Sequence, residues 1–193
     1  MTFELAPFAL PEGYAEAILP LADLKGHLRV TGSREDDLIG AFRDAAVDAV
    51  EQFTGLILGP REGEHAMVWQ AESLPARVRL GVRPVSALLS FAWLDATGTE
   101  QVGDVAELRV GPASEVMPKP GASWPKGIAG GVTITFSAGL PAGKVPPSLV
   151  QAARMFAAHL YLNREAVVAT GALGGEVPLG FQALCSPYRM PVL

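Results

Sequence analysis

Three histidines, one cysteine and a line of carboxylates are the residues whose types could do chemistry in this chain. Their spacing argues against most of that chemistry. His27, His65 and His159 are scattered along 193 residues, and none has a Cys, His or carboxylate at metal-ligand spacing. His159 falls in a strongly apolar segment, where a hydrogen-bonded core histidine is expected. Cys185 has no local signature of a nucleophile and no second cysteine to pair with. No G-x-S-x-G, Walker A or G-x-G-x-x-G followed by a helix is present. Gly127, Gly130 and Gly131 precede a strand, which is the wrong context for a phosphate loop. The expectation is therefore a protein that is not an enzyme, with no catalytic, metal-binding or cofactor-binding residue.

The carboxylates form a pattern. On a helix turning ~100° per residue, Asp37, Asp44, Asp48 and Glu51 fall within an arc of roughly 60°. Asp44 and Asp48 are a like-charge i,i+4 pair, destabilising by about a few tenths of a kcal/mol. No Lys on this helix offsets them, and Arg43 is expected to point elsewhere. Three readings stay open: a solvated face, acids met by arginines of another subunit, or an acidic wall along a DNA channel. Trp124 lies in what reads as a long Gly- and Pro-rich loop, residues 111–131, and is either an anchor for a partner or a loop-packing residue.

These groups need elements to position them, and composition bounds what those are. The apolar fraction is 49%, charged residues are 18%, and the net charge is −5. That is too apolar for a disordered chain. No run approaches the ~18 apolar residues of a membrane helix, and the first basic residue, Lys25, comes too late for a signal peptide. Basic residues are scattered and outnumbered, so tight nucleic-acid or membrane binding is not expected. Low charge with a large apolar fraction implies surface that other subunits cover.

Residues 20–59 read as helical. Pro20 opens a short helix over 21–28. Ser33 and Asp36 read as a capping box for a second helix from Arg34 to about Thr54, with Gly55 just past its end. Leu38, Phe42, Ala45, Ala49 and Phe53 recur within an arc of roughly 80° and are expected to face the core. Strand patterns follow at 65–70, 76–80, 85–94, 105–110 and 132–137, with a hairpin turn at Thr97-Gly98. Val132, Ile134 and Phe136 alternate with polar residues, as on a half-buried strand. Pro146-Pro147-Ser148 then opens a helix to about Val167 that is apolar nearly all round. Such a helix must be buried on most faces, which points to packing between subunits through Phe156, Leu160, Tyr161 and Arg164. The Gly-rich tail turns apolar at Val177, Leu179, Phe181, Leu184, Tyr188 and Arg189, a segment that either folds back or docks on a neighbour.

The predicted fold is α+β. A small helical domain (1–59 plus 146–168) carries an inserted antiparallel β domain (60–145), and an extended C-terminal tail follows (169–193).

This arrangement resembles the head–tail connector, or adaptor, proteins of long-tailed bacteriophages, prophages and gene transfer agents. The matching segments are 21–37 (LADLKGHLRVTGSREDD), 45–55 (AAVDAVEQFTG), Arg83-Pro84-Val85, 145–166 (VPPSLVQAARMFAAHLYLNREA) and 177–189 (VPLGFQALCSPYR). The resemblance implies a structural role in the neck of a particle assembled in the bacterial cytoplasm. It implies a homo-oligomeric ring, usually twelve copies, below the portal protein. That ring joins the portal to a tail-side stopper or terminator protein and passes double-stranded DNA without tight binding. In that setting the four acids would lie near the lumen or a subunit seam, and the tail would insert into the portal or an adjacent copy. Two rival classes remain: a β-rich glycan- or partner-binding module using Trp93 and Trp124, and a small hydrolase assembled from distant residues.

Overall fold

The computed structural model describes residues 2–5, 10–70, 74–163 and 179–189. The chain divides into two units, one of residues 1–11 with 60–140 and one of residues 12–59 with 141–193.

The first unit is built on β8 (Gly130–Ala138). Its β-branched and aromatic residues favour a pleated strand, and Val132, Ile134 and Phe136 are fully buried along it. β8 pairs antiparallel with β2 (Arg61–Gln70) on one side and β4 (Val85–Leu94) on the other. β1 (Thr2–Leu5) and β5 (Glu100–Val102) complete a five-stranded sheet in the order β1-β2-β8-β4-β5. A second, three-stranded sheet has the order β3-β7-β6, from β3 (Val78–Arg79), β6 (Leu108–Val110) and β7 (Glu115–Pro118).

The hairpin between β4 and β5 turns at Thr97-Gly98, as the sequence predicts. Gly98 has φ 78° and donates its N–H to Asp95 O at 2.9 Å. Asp95 organises the turn, accepting from Thr97 N at 2.8 Å, Thr97 Oγ1 at 2.6 Å and Gln101 Nε2 at 2.8 Å. These bonds, led by the Thr97 hydroxyl, hold its carboxyl down to about 2.

Two expectations about this unit are corrected. Residues 1–11 group with the strands rather than with the helices, because β1 pairs with β2, Leu5 opposite Met67. The stretch 111–131 is not wholly a loop. β7 lies in it, paired on both sides, with Pro118 at its last position where a missing donor costs least.

The second unit contains α1 (Tyr14–Ile18), α2 (Leu21–Leu28), α3 (Asp36–Thr54), α4 (Pro147–Leu162) and α5 (Leu179–Cys185). α3 ends at Gly55, whose φ of 69° is the left-handed conformation that closes a helix. α4 starts with Pro147 in its first turn. Its buried residues are Leu149, Ala152, Ala153 and Ala157, and the three alanines let α3 and α2 approach closely.

The expected capping box does not form. The residue before α3 is Glu35, with no side-chain cap. Asp36 instead pairs with Lys25 of α2 at 2.5 Å, and Glu35 accepts from Tyr161 Oη at 2.5 Å. The phase of α3 is also different. Ile39, Ala46, Val47 and Val50 are buried, whereas Leu38 is 37% exposed, Ala45 is exposed, and Phe42, Ala49 and Phe53 are half-buried. α3 is apolar over two adjoining arcs, and packing against α1, α2 and α4 selects the other one.

Candidate assembly surfaces

α3 presents its acids differently from one another. Asp37, Asp44 and Asp48 are exposed along one line of the helix. Asp48 accepts from Gln52 Nε2 at 2.6 Å. Arg43 does not point away: it pairs with Asp44 at 2.8 Å and with Glu16 of α1.

Glu51 leaves the acidic face altogether. It is 7% exposed and accepts from Tyr14 Oη at 2.5 Å and from Leu58 N at 2.7 Å. The Tyr14 oxygen in turn accepts from Gly59 N at 2.9 Å. The Tyr14 ring lies on Gly59, where an added Cβ would stand 3.0 Å from its Cε2. Glu51 thus ties α1 and the turn after α3 together, a structural role that its place on the helical wheel did not reveal. Its partner Tyr14 lies 37 residues earlier, in α1, so no local signal marks the role.

α4 leaves apolar surface open. Phe156, Leu160 and Tyr161 are half-buried and Leu162 is 76% exposed. Arg164 lies outside the described residues. His159 is not a core histidine: it is half-buried, stacks on Phe156 at 6.4 Å between centroids and lies 3.2 Å from Asn163 Nδ2.

The tail folds onto its own unit where it is described. Phe181 of α5 is 3% exposed and sits between Phe53 of α3 at 5.6 Å and Phe156 of α4 at 5.1 Å. Arg189 places its guanidinium 5.2 Å from the Phe53 centroid, a cation–π contact. Tyr188 accepts from Ser148 Oγ at 3.1 Å, and Leu184 is half-buried. Val177 and the side chain of Leu179 lie outside the described residues. Cys185 is fully buried, which pushes its thiol up to about 11, so it is protonated at neutral pH and a poor nucleophile.

The β unit gathers a second set of aromatic rings. Phe91 and Trp93, two apart on β4, share a face of the strand. Their centroids are 5.2 Å apart, and Trp124 lies 5.6 Å from Phe91. Trp124 donates its Nε1–H to Pro75 O at 2.9 Å. It is therefore a fixed wall, and with Phe91, Trp93, Asp104, Glu107 and Lys126 it lines a cleft of about 370 Å³.

Among the described residues, no three His, Cys, Asp or Glu side chains cluster to hold a metal ion, and no helix is long and apolar enough to cross a membrane.

Residues 19–91 match the family of phage gp6-like head-tail connector proteins. Over its whole length the chain is similar to a chain in the neck of an empty GTA particle computed with C6 symmetry. The identity is 28%, 98% of that chain is covered, and the TM-score is 0.74. A chain in the neck of a native GTA particle computed with C12 symmetry gives 26% identity, coverage of 100% and 98%, and a TM-score of 0.73. A chain of the virion of a native gene transfer agent particle gives 28% identity, the same coverage and a TM-score of 0.69. No curated protein matches.

Proposed function

We propose that this chain, a head–tail connector protein of the neck of a phage-like particle, assembles into a twelve-fold ring between the portal and a tail-side stopper or terminator protein. It is a structural adaptor and not an enzyme. The observation that carries the ring reading is the full-length likeness to neck subunits of particles treated with six- and twelve-fold symmetry.

The helical unit supports it independently. Leu38 and Leu162 are exposed, and Phe42, Phe156 and Leu160 are half-covered. Apolar surface of this kind is characteristic of a contact face. A cyclic ring uses heterologous contacts, so two different faces of one subunit meet. The proposed faces are the apolar shoulder of α3 and the end of α4 with Phe156, Leu160, Tyr161 and Arg164. Asp37, Asp44 and Asp48 are assigned to the lumen or a subunit seam, where carboxylates do not hold DNA phosphates and the duplex passes freely. Glu51 is left out of that assignment. Docking on the portal or an adjacent copy is assigned to Val177, Leu179, Leu184, Tyr188 and Arg189. Phe181, at 3% exposure, is left out, whereas Leu184 and Tyr188 are half-buried and Arg189 is exposed.

The test is negative-stain microscopy of the purified protein with its portal. Rings capping the portal are expected. Leu38→Glu and Leu162→Glu, both at exposed positions, are expected to abolish rings with an unchanged thermal transition. Failure of the parent protein to cap the portal overturns the adaptor ring. Normal rings from both variants overturn the assigned faces.

A further inference from the structure

We propose that the aromatic cleft of the β unit is a binding site for an arginine side chain presented by a neighbouring protein of the particle. Only the source of that arginine rests on the adaptor reading. The chemistry rests on the cleft.

Three separate segments build its walls, and each is fixed before any ligand arrives. Phe91 and Trp93 come from β4. The turn that carries Asp104 and Glu107 is pressed against them, because Gly103 donates its N–H to Phe91 O at 2.8 Å. A Cβ on Gly103 would stand 2.4 Å from Phe91 Cδ1 and 3.1 Å from Trp93 Cζ3, so only glycine permits that approach. The segment carrying Trp124 and Lys126 is held at both ends, by Lys119 N donating to Glu107 O at 2.8 Å and Ala129 N to Leu94 O at 2.9 Å. Trp124 is held again by its bond to Pro75 O. Walls held this way lose little freedom on binding.

The lining selects the ligand. The two indoles, each partly exposed, supply faces on which a planar cation stacks, above a base closed by Phe91, which is 2% exposed. Asp104 and Glu107 supply two carboxylates, and neither is ion-paired among the described residues. Lys126 is the one cation on the lining, so the cleft carries a net negative charge. Guanidinium matches both features at once, stacking on aromatic faces while its fork of donors meets carboxylates. A phosphate-bearing ligand is repelled by the two carboxylates, and a neutral sugar, although its hydroxyls can donate to them, brings no positive charge to balance theirs. The volume, about 370 Å³, lies within the range of small-ligand sites.

The experiment titrates the intact protein with the peptide acetyl-Gly-Arg-Gly-amide and follows the Trp93 and Trp124 indole N–H signals by NMR. Saturable shifts of both are expected, weakening with added salt and severalfold weaker for the citrulline peptide. Asp104→Asn with Glu107→Gln is expected to weaken binding severalfold. Asparagine at position 104 keeps the acceptor that caps Ala106 N, so the turn survives. Lys126→Gln is expected to tighten binding, a sign that sugar stacking does not produce. The proposal is overturned if the indole signals do not move, if citrulline binds as well as arginine, if the carboxylate variant binds unchanged, or if only an oligosaccharide shifts the indoles. Portal capping is read separately by microscopy, so failure here leaves the adaptor reading standing.

Discussion

Each unit holds a cluster of three aromatic rings, and the two clusters do different work. Phe53, Phe156 and Phe181 meet where three helices converge. They carry no polar atoms, and the central ring is nearly sealed. Phe91, Trp93 and Trp124 meet under a strand and two connecting segments, with an indole N–H spent on a main-chain carbonyl and carboxylates on the rim. Centroid spacings are about the same in both. The first cluster fastens helices to one another. In the second the central Phe91 is equally sealed, but the backbone fastens the walls and the two indoles are left partly open on a cleft. Aromatic content alone does not distinguish glue from a binding surface. The groups that hold the rings do.

The sharpest way to break this comparison is to alter one ring in each cluster. Phe181→Ala is expected to destabilise the helical unit by about 3 kcal/mol, the low end for a buried phenylalanine because the site adjoins a groove lined by Phe53, Phe156 and Arg189. Urea denaturation checks it, and Cys185, buried on the same helix, should be alkylated faster in that variant. Glu51→Gln comes next, at about 2 kcal/mol, since a buried carboxylate loses charge-assisted bonds from Tyr14 and Leu58. Trp124→Phe is expected to cost only about 1 kcal/mol, the net worth of one hydrogen bond. A loss as large as that of Phe181→Ala would show that the second cluster is also glue. Replacing the exposed pair Asp44 and Asp48 by Asn should change stability by less than about 0.5 kcal/mol.

The smallest effect is at the hairpin. The Asp95 carboxyl titrates lower folded, at about 2, than unfolded, at about 3.9. Its contribution is therefore present above the unfolded value and is lost as pH falls through the folded one. Amide shifts of Thr97 and Thr99 should titrate with a midpoint about 2, and Asp95→Asn should abolish that titration.

Much of the scaffold was legible from local pattern. β4 matches its predicted span, Val85–Leu94, and α4 starts at its prolines. Thr97-Gly98 turns, Gly55 ends α3, and Val132, Ile134 and Phe136 face the core. In each case a residue's own backbone preference or a period of two decides the outcome. β1 and β7 were not legible, because short strands between turn residues are selected by the partner they pair with, whereas β5 was implied only through the hairpin turn before it.

What the sequence determined by itself is the class of element at each long segment, the low charge, and the absence of familiar catalytic spacing. Those follow from backbone preferences and side-chain chemistry that act within a few residues. Tertiary structure alone decided which arc of α3 is core, because that helix has two apolar arcs and only its neighbours choose between them. It decided the fate of Glu51, whose partner Tyr14 lies 37 residues away. It also turned Trp124 from a loop residue into a wall, since the carbonyl that holds it comes from residue 75, 49 positions earlier. Long-range contacts of this kind cost chain entropy that only the assembled fold repays, so no local pattern announces them.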